Sequence, residues 1–236
     1  MIKQIASHYS SIDLGFANLF CKEKDMPIIS KIAKLAYKKN RRFFQNDLNK
    51  KFNIIICYSR KELDNEWGEK TQKWLTACAN KKRIATFPDE LIKKYKKYNK
   101  RKDLSLKTNL VHEINHMFYY QIVGREYPAW LLEGLAQYVD GYKLIKKDKK
   151  ILKQSQPPLL YSCNGKRYWR YAHLFYPMSF LAVSYLIKIH GKRRMLELLD
   201  SLKNTNVKKK FEDKFQKTFG YSVNELEKKI FKQVFK

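Results

Sequence analysis

Hydrophobic periodicity separates a strand-bearing part of the chain from a mainly helical part. The β-branched run Lys51–Tyr58 predicts a buried strand, and Trp74–Cys78 and Arg83–Phe87 predict two more around a turn at Asn80. Strands come first and helices follow, instead of alternating. This order predicts an α+β fold, with a small N-terminal β-sheet packed on a mainly helical domain.

The helical part is divided by residues that start and stop helices. Ser105 is a typical N-cap, Pro128 is a typical first-turn residue, and glycines stand where the apolar periodicity ends. The predicted helices are Ser105–Val123, Pro128–Gly141, Tyr168–His190, Arg193–Leu202, Phe211–Phe219 and Val223–Phe235.

The first 50 residues have a different character. Pro27–Phe44 predicts a basic helix with Ile28, Ile32, Leu35 and the stem of Lys39 on one side. We expect residues 1–50 to form a basic helical extension that packs as a cap on a domain spanning residues 51–236.

Composition narrows the classes of protein that the chain can belong to. With 44% hydrophobic and 14% aromatic residues, the 236-residue chain is not a disordered protein. The net charge of +28 favours polyanionic partners, although a solvated lysine-rich surface explains it equally well.

Location is also an expectation from composition. No apolar run reaches the roughly 18 residues of a membrane helix, so we expect no transmembrane segment. Ile12–Phe20 makes a poor secretion signal, and four cysteines without a C-x-x-C pair are ordinary in a reduced compartment. Cytoplasmic location is therefore expected, with secretion left open.

One short motif carries metal chemistry. His112, Glu113 and His116 form H-E-x-x-H within a predicted helix. Residues four apart lie on one face, so both imidazoles can bind one metal ion while Glu113 lies beside it. The stripe of Val111, Ile114, Phe118 and Ile122 predicts that the histidines face away from the core, toward a cleft.

A second motif follows at the distance that a third ligand requires. Glu133 lies 17 residues after His116, on the next predicted helix, among Trp130, Leu131 and Leu135. An unpaired carboxylate is costly in such apolar surroundings. Two histidines and one glutamate leave a fourth position for water, as catalytic zinc sites do.

The two motifs together resemble a known family. H-E-x-x-H followed by W-L-x-E-G-x-A-x-Y is similar to the gluzincin zinc metallopeptidases, in particular their small peptidase MA-like domains. The resemblance covers about residues 50–235 and leaves the first 50 unexplained. It implies a hydrolase, a zinc-dependent protease, whose cofactor is Zn²⁺.

The resemblance also implies a role for each matching residue. His112, His116 and Glu133 would bind the metal, and Glu113 would be the general base for the attacking water. Tyr176 would be a catalytic residue that stabilises the oxyanion, with Tyr171 and His173 as alternatives.

Two positions near the third ligand bear on metal affinity. Several gluzincins carry an acidic residue four positions after the glutamate ligand, where this chain has Gln137. Asp140 lies seven positions after Glu133, on the same face, and is the alternative orienting group.

Two segments bear on peptide or protein substrates. Arg83–Phe87 is either an ordinary strand or an edge strand to which a peptide adds. The tyrosines and lysines of Lys93–Lys102 fit a solvated loop, a nucleic-acid surface, or a rim that selects acidic substrates.

The sequence thus leaves two classes of function. The first is a zinc metallopeptidase with a glutamate general base. The alternative is a basic protein that binds nucleic acid or another polyanion, in which the metal fold is structural or vestigial.

Overall fold

The structure is a computed structural model that describes residues 9–99, 101, 103–155, 160, 172–203 and 208–234. The chain divides into two compact units, residues 1–121 and 122–236. The predicted α+β class is confirmed, because a small sheet near the N-terminus is followed by helices. Tyr171, one of the alternatives for the oxyanion role, lies outside the described residues.

The first unit contains a five-stranded sheet with the order β1-β2-β3-β5-β4. The three central strands run parallel, and each edge strand is antiparallel to its neighbour. The strands are β1 (Ser10–Asp13), β2 (Ala17–Cys21), β3 (Phe52–Ile56), β4 (Ala77–Asn80) and β5 (Arg83–Thr86). Alternating burial along β2 places Ala17, Leu19 and Cys21 in the core.

Four helices belong wholly or mostly to the same unit. They are α1 (Met26–Phe44), α2 (Arg60–Trp67), α3 (Asp89–Tyr95) and α4 (Leu106–Val123), with short 3₁₀ turns at Glu23–Asp25 and Lys96–Tyr98. Ser59 caps α2 by accepting a hydrogen bond from the Glu62 backbone N–H, and Gly68 ends it with a positive φ of 93°.

The first 50 residues differ in part from the predicted helical extension: the predicted basic helix Pro27–Phe44 is present as α1, but strands precede it. Residues 10–21 form two strands, and β2 pairs with β3 through Leu19 opposite Ile54. These residues are therefore part of the sheet, and residue 50 is not a boundary between units. The strands are only four and five residues long and carry polar positions, so their periodicity is too weak to predict.

The possibility that Arg83–Phe87 is an edge strand is also wrong. β5 lies between β3 and β4 and pairs with both, so both of its edges are occupied. The ordinary-strand interpretation is confirmed, and β1 and β4 are the edges of this sheet.

The second unit is helical in its described residues. Its helices are α5 (Ala129–Asp140), α6 (Lys146–Lys153), α7 (Ala172–Ser201), α8 (Lys208–Phe219) and α9 (Val223–Val234). Trp130 packs edge-on against Phe211 and Phe215, which are both fully buried. The predicted stop at Gly191 is confirmed, because its φ of 82° breaks the helical path of α7.

One described helix, α7, is long and apolar enough to cross a membrane by length and mean hydropathy. A core helix passes the same test, and Leu186, Leu198 and Leu199 of α7 are buried within the protein. The expectation of no transmembrane segment therefore stays a prediction.

Candidate metal centre

The helix that carries H-E-x-x-H begins and ends where the sequence predicts. The Ser105 backbone N–H donates to Thr108 Oγ1 at 2.8 Å, and the Thr108 backbone N–H donates to Ser105 Oγ at 3.2 Å. This reciprocal pair satisfies backbone groups at the start of α4. The helix ends at Val123, before Gly124 with its φ of 83°.

The helical spacing brings the two histidines together. The ring centroids of His112 and His116 are 4.8 Å apart, and the rings are nearly perpendicular at 88°. Residues four apart occupy one face of a helix, so this contact follows directly from the motif.

The surroundings of α4 differ from the prediction of one apolar face and one open face. Val111, Ile114 and Phe118 are buried as expected, whereas Ile122 is only half-buried. His116 is also buried, at 5% exposure. The helix lies inside the protein, so its polar face is enclosed as well. A helical wheel, which uses the sequence alone, predicts an exposed face instead.

Buried asparagines fix α4 in the first unit. Asn40 of α1 donates to the Val111 carbonyl oxygen and accepts from Asn115, both at 2.9 Å. Asn109 donates to the hydroxyl oxygens of Thr76 and Thr86, both at 3.1 Å. Because unpaired buried amides are costly, these bonds specify the rotation and axial position of α4.

Glu133 completes a group that could hold a metal ion. One ligand atom each from His112, His116 and Glu133 lies within 4.8 Å of the others. Glu133 is 8% exposed and lies on α5, where nearly every residue is buried. The three residues predicted as ligands are therefore brought together.

The donor set and its spacing fit a tetrahedral ion. Bonds of about 2.1 Å at tetrahedral angles separate neighbouring ligand atoms by about 3.4 Å. The limit of 4.8 Å exceeds this spacing by about 1.4 Å at most. Two imidazoles and one carboxylate suit a borderline-soft divalent ion.

Glu113 lies beside this group, as the motif predicts. Its Oε2 atom is 4.0 Å from His116 Nε2, and the residue is 7% exposed. Burial raises the pKa of Cys78, and the charges of Glu113 and Glu66 raise it further. Edge strand β4, which carries Cys78, is thus close enough for the Glu113 charge to act on it.

The two positions considered as orienting groups have different surroundings. Gln137 is buried, and in the described structure its Oε1 atom has no hydrogen-bond partner. Asp140 is also buried, and its Oδ1 accepts a hydrogen bond from the Tyr142 backbone N–H at 2.8 Å. The Gln137 Oε1 atom can therefore still accept a hydrogen bond, whereas Asp140 holds the backbone that follows α5.

The oxyanion candidates remain predictions. Tyr176 lies half-buried on α7, with its ring edge-on to Phe175 at 5.7 Å, and His173 of the same helix is exposed. His173 is not part of the metal-binding group, and Tyr171 is not among the described residues.

Gly134 has a structural role that was not predicted from the sequence. A Cβ built at this position would lie 2.3 Å from the Ser179 carbonyl oxygen and 2.6 Å from Val183 Cγ2. Only a glycine permits this close approach of α5 and α7, immediately after Glu133. An isolated glycine inside a helical pattern was the available signal.

The Lys93–Lys102 segment is less open than a stacking surface requires. It forms the end of α3 and a 3₁₀ turn in its described part. Tyr95 is stacked on Phe87 at 5.3 Å and lies under the Arg60 guanidinium, whereas Tyr98 is exposed. Tyr95 is therefore a packed residue and not a platform for bases.

No protein-family model matches the sequence, and no curated protein is significantly similar to it. The candidate centre therefore stands on its own geometry.

Proposed function

We propose that the chain is a zinc metallopeptidase of the gluzincin type. The observation that carries the proposal is the convergence of His112, His116 and Glu133 within 4.8 Å, with Glu113 beside them. A His₂Glu set with one vacant position is the ligand pattern of catalytic zinc in peptidases.

The proposed division of labour assigns one task to each residue. His112, His116 and Glu133 would hold Zn²⁺, which when bound lowers the pKa of a coordinated water toward about 7 and polarises a carbonyl group. Glu113 would accept a proton from the attacking water on a carboxylate oxygen and donate it to the leaving amine.

Burial of Glu113 and His116 supports this assignment. Proton transfer by a carboxylate is efficient when water is largely excluded and the group is held in place. Asn40 bonds to the Val111 carbonyl oxygen, and the side chains of Asn109 and Asn115 fix α4 on either side of both residues. The proposed base is therefore preorganised by contacts within its own unit.

The experiment compares Glu113→Gln with the wild type in zinc content and in hydrolysis of fluorescein-labelled casein. We expect both proteins to contain one zinc, and the variant to lose at least about 100-fold in rate because the amide cannot accept the proton. Glu90→Gln is the matched control, since Glu90 is exposed in the same unit.

Full hydrolysis by Glu113→Gln with the zinc retained would refute the role of Glu113. Zinc that is bound in a wild type without hydrolytic activity would instead favour a structural metal site in a binding protein.

A further inference from the structure

The outer side of α1 has an unexpected apolar stripe. The helix packs into the first unit through Ile29, Ala33, Ala36 and Phe44, which are all buried. The larger aliphatic residues Ile28 and Leu35 lie instead in solvent, at 63% and 50% exposure, and Ile32 is only partly covered. The stripe that the sequence pattern singled out is thus the one that the fold leaves outside.

The same side is strongly basic. Helix α1 contains six Lys and Arg residues and no carboxylate. Arg41 pairs with Asp47 at 2.8 Å. The four lysines of the helix are exposed and form no salt bridge with a described residue; they are Lys31, Lys34, Lys38 and Lys39. Their charge is therefore available to an anionic partner.

The helical spacing places the apolar and basic positions side by side. Ile28 and Leu35 are seven residues apart, and so are Lys31 and Lys38, three positions further on. Seven residues make two turns, so each pair forms a row along the helix. Lys39 lies next to the apolar row, where its long stem can extend past the aliphatic side chains.

This combination distinguishes a lipid surface from nucleic acid. Phosphate groups of DNA and RNA attract lysines, and unpaired bases stack on aromatic side chains. Exposed aliphatic residues add affinity for neither of them. None of the exposed positions of α1 is aromatic. A helix with an aliphatic row beside a lysine row is typical of one that lies in a bilayer interface.

We propose that the outer face of α1 docks on an anionic phospholipid bilayer. Ile28 and Leu35 insert below the headgroups, while the four exposed lysines contact the anionic headgroups. The proposal depends only on residues of α1 and is independent of the metal centre.

The test measures co-flotation of the full chain with vesicles at physiological salt. The vesicles are phosphatidylcholine alone, or phosphatidylcholine with about one third phosphatidylglycerol. The informative variant carries Ile28→Ser together with Leu35→Ser, which keeps every charge. The matched control is Ile189→Ser, because Ile189 on α7 is similarly exposed at 51%.

We expect the wild type and Ile189→Ser to bind the anionic vesicles and to bind phosphatidylcholine weakly. The double serine variant should lose at least about tenfold in partitioning, because two inserted aliphatic side chains are removed. Wild-type protein that stays with the unbound fraction would overturn the proposal. Equal binding of the double serine variant and the wild type to the anionic vesicles would overturn it as well.

Discussion

Replacing Gly134 by alanine tests how the fold positions Glu133. The new Cβ would lie 2.3 Å from the Ser179 carbonyl oxygen, whereas ordinary contacts begin near 3.4 Å. The opposing atom belongs to the backbone, so rotation of a side chain cannot relieve the overlap. Helices α5 and α7 would have to separate by 3.4 − 2.3 = 1.1 Å.

Two opposing effects determine how much Gly134→Ala lowers the free energy of unfolding. Overpacking of a buried site costs about 1–3 kcal/mol, and backbone contact places Gly134→Ala near the upper end. Alanine recovers about 1 kcal/mol of helix propensity relative to glycine. The net loss is about 2 kcal/mol, which lowers Tm by about 4–8 °C in a chain of this length.

The assay combines calorimetry of the metal-free protein with a zinc titration. A shift of α5 moves Glu133, so we expect zinc affinity to fall about tenfold as well, since ligand placement controls affinity. Gly68→Ala is the control: Gly68 has a φ of 93° but open space at the Cβ position, so this change strains α2 and leaves zinc affinity intact. An unchanged or higher Tm for Gly134→Ala would refute the steric reasoning, and unchanged zinc affinity would refute the positioning role.

Three further predictions concern other polar residues. Asn40→Ala should lower the free energy of unfolding by about 2–3 kcal/mol in urea titrations, because the buried Asn115 amide loses its acceptor and the Val111 carbonyl oxygen loses a second donor; a loss below about 0.5 kcal/mol would contradict this. Gln137→Leu should leave the Tm of the metal-free protein unchanged. If the open Oε1 atom of Gln137 orients a metal ligand, the variant should bind zinc about tenfold more weakly, and equal zinc affinity would exclude that role. Burial, with the positive charges of Arg194 and Lys229, lowers the pKa of His190 below its ordinary value of 6.5. The unfolded chain therefore protonates first, and stability should fall as pH drops below about 6.5, with a smaller fall in His190→Gln; equal pH profiles of Tm would oppose this.

The boundaries of α4 and α5 were predictable because local chemistry sets them. Ser105 and Gly124 enclose α4, and Gly141 ends α5 with a φ of 90°. The pairing of His112 with His116 follows from helical geometry alone. These features depend on residues close together in the sequence, so one sequence suffices to find them.

Other features depend on contacts between distant residues. The two N-terminal strands become recognisable because β2 pairs with β3 and β1 pairs with β2. The space at Gly134 is set by Ser179 on another helix. The outer stripe of α1 has the same origin. The sequence shows Ile28 and Leu35 as an apolar row, but only the fold shows that smaller residues such as Ala33 form the packed face.

The most direct test of the metal centre is the zinc content of the purified chain, measured by mass spectrometry in wild type and in His116→Ala. Three converging ligands predict one zinc ion per wild-type chain. The variant should contain only a small fraction of that amount. Wild-type protein without stoichiometric zinc after reconstitution, or equal zinc in both proteins, would contradict the proposed centre.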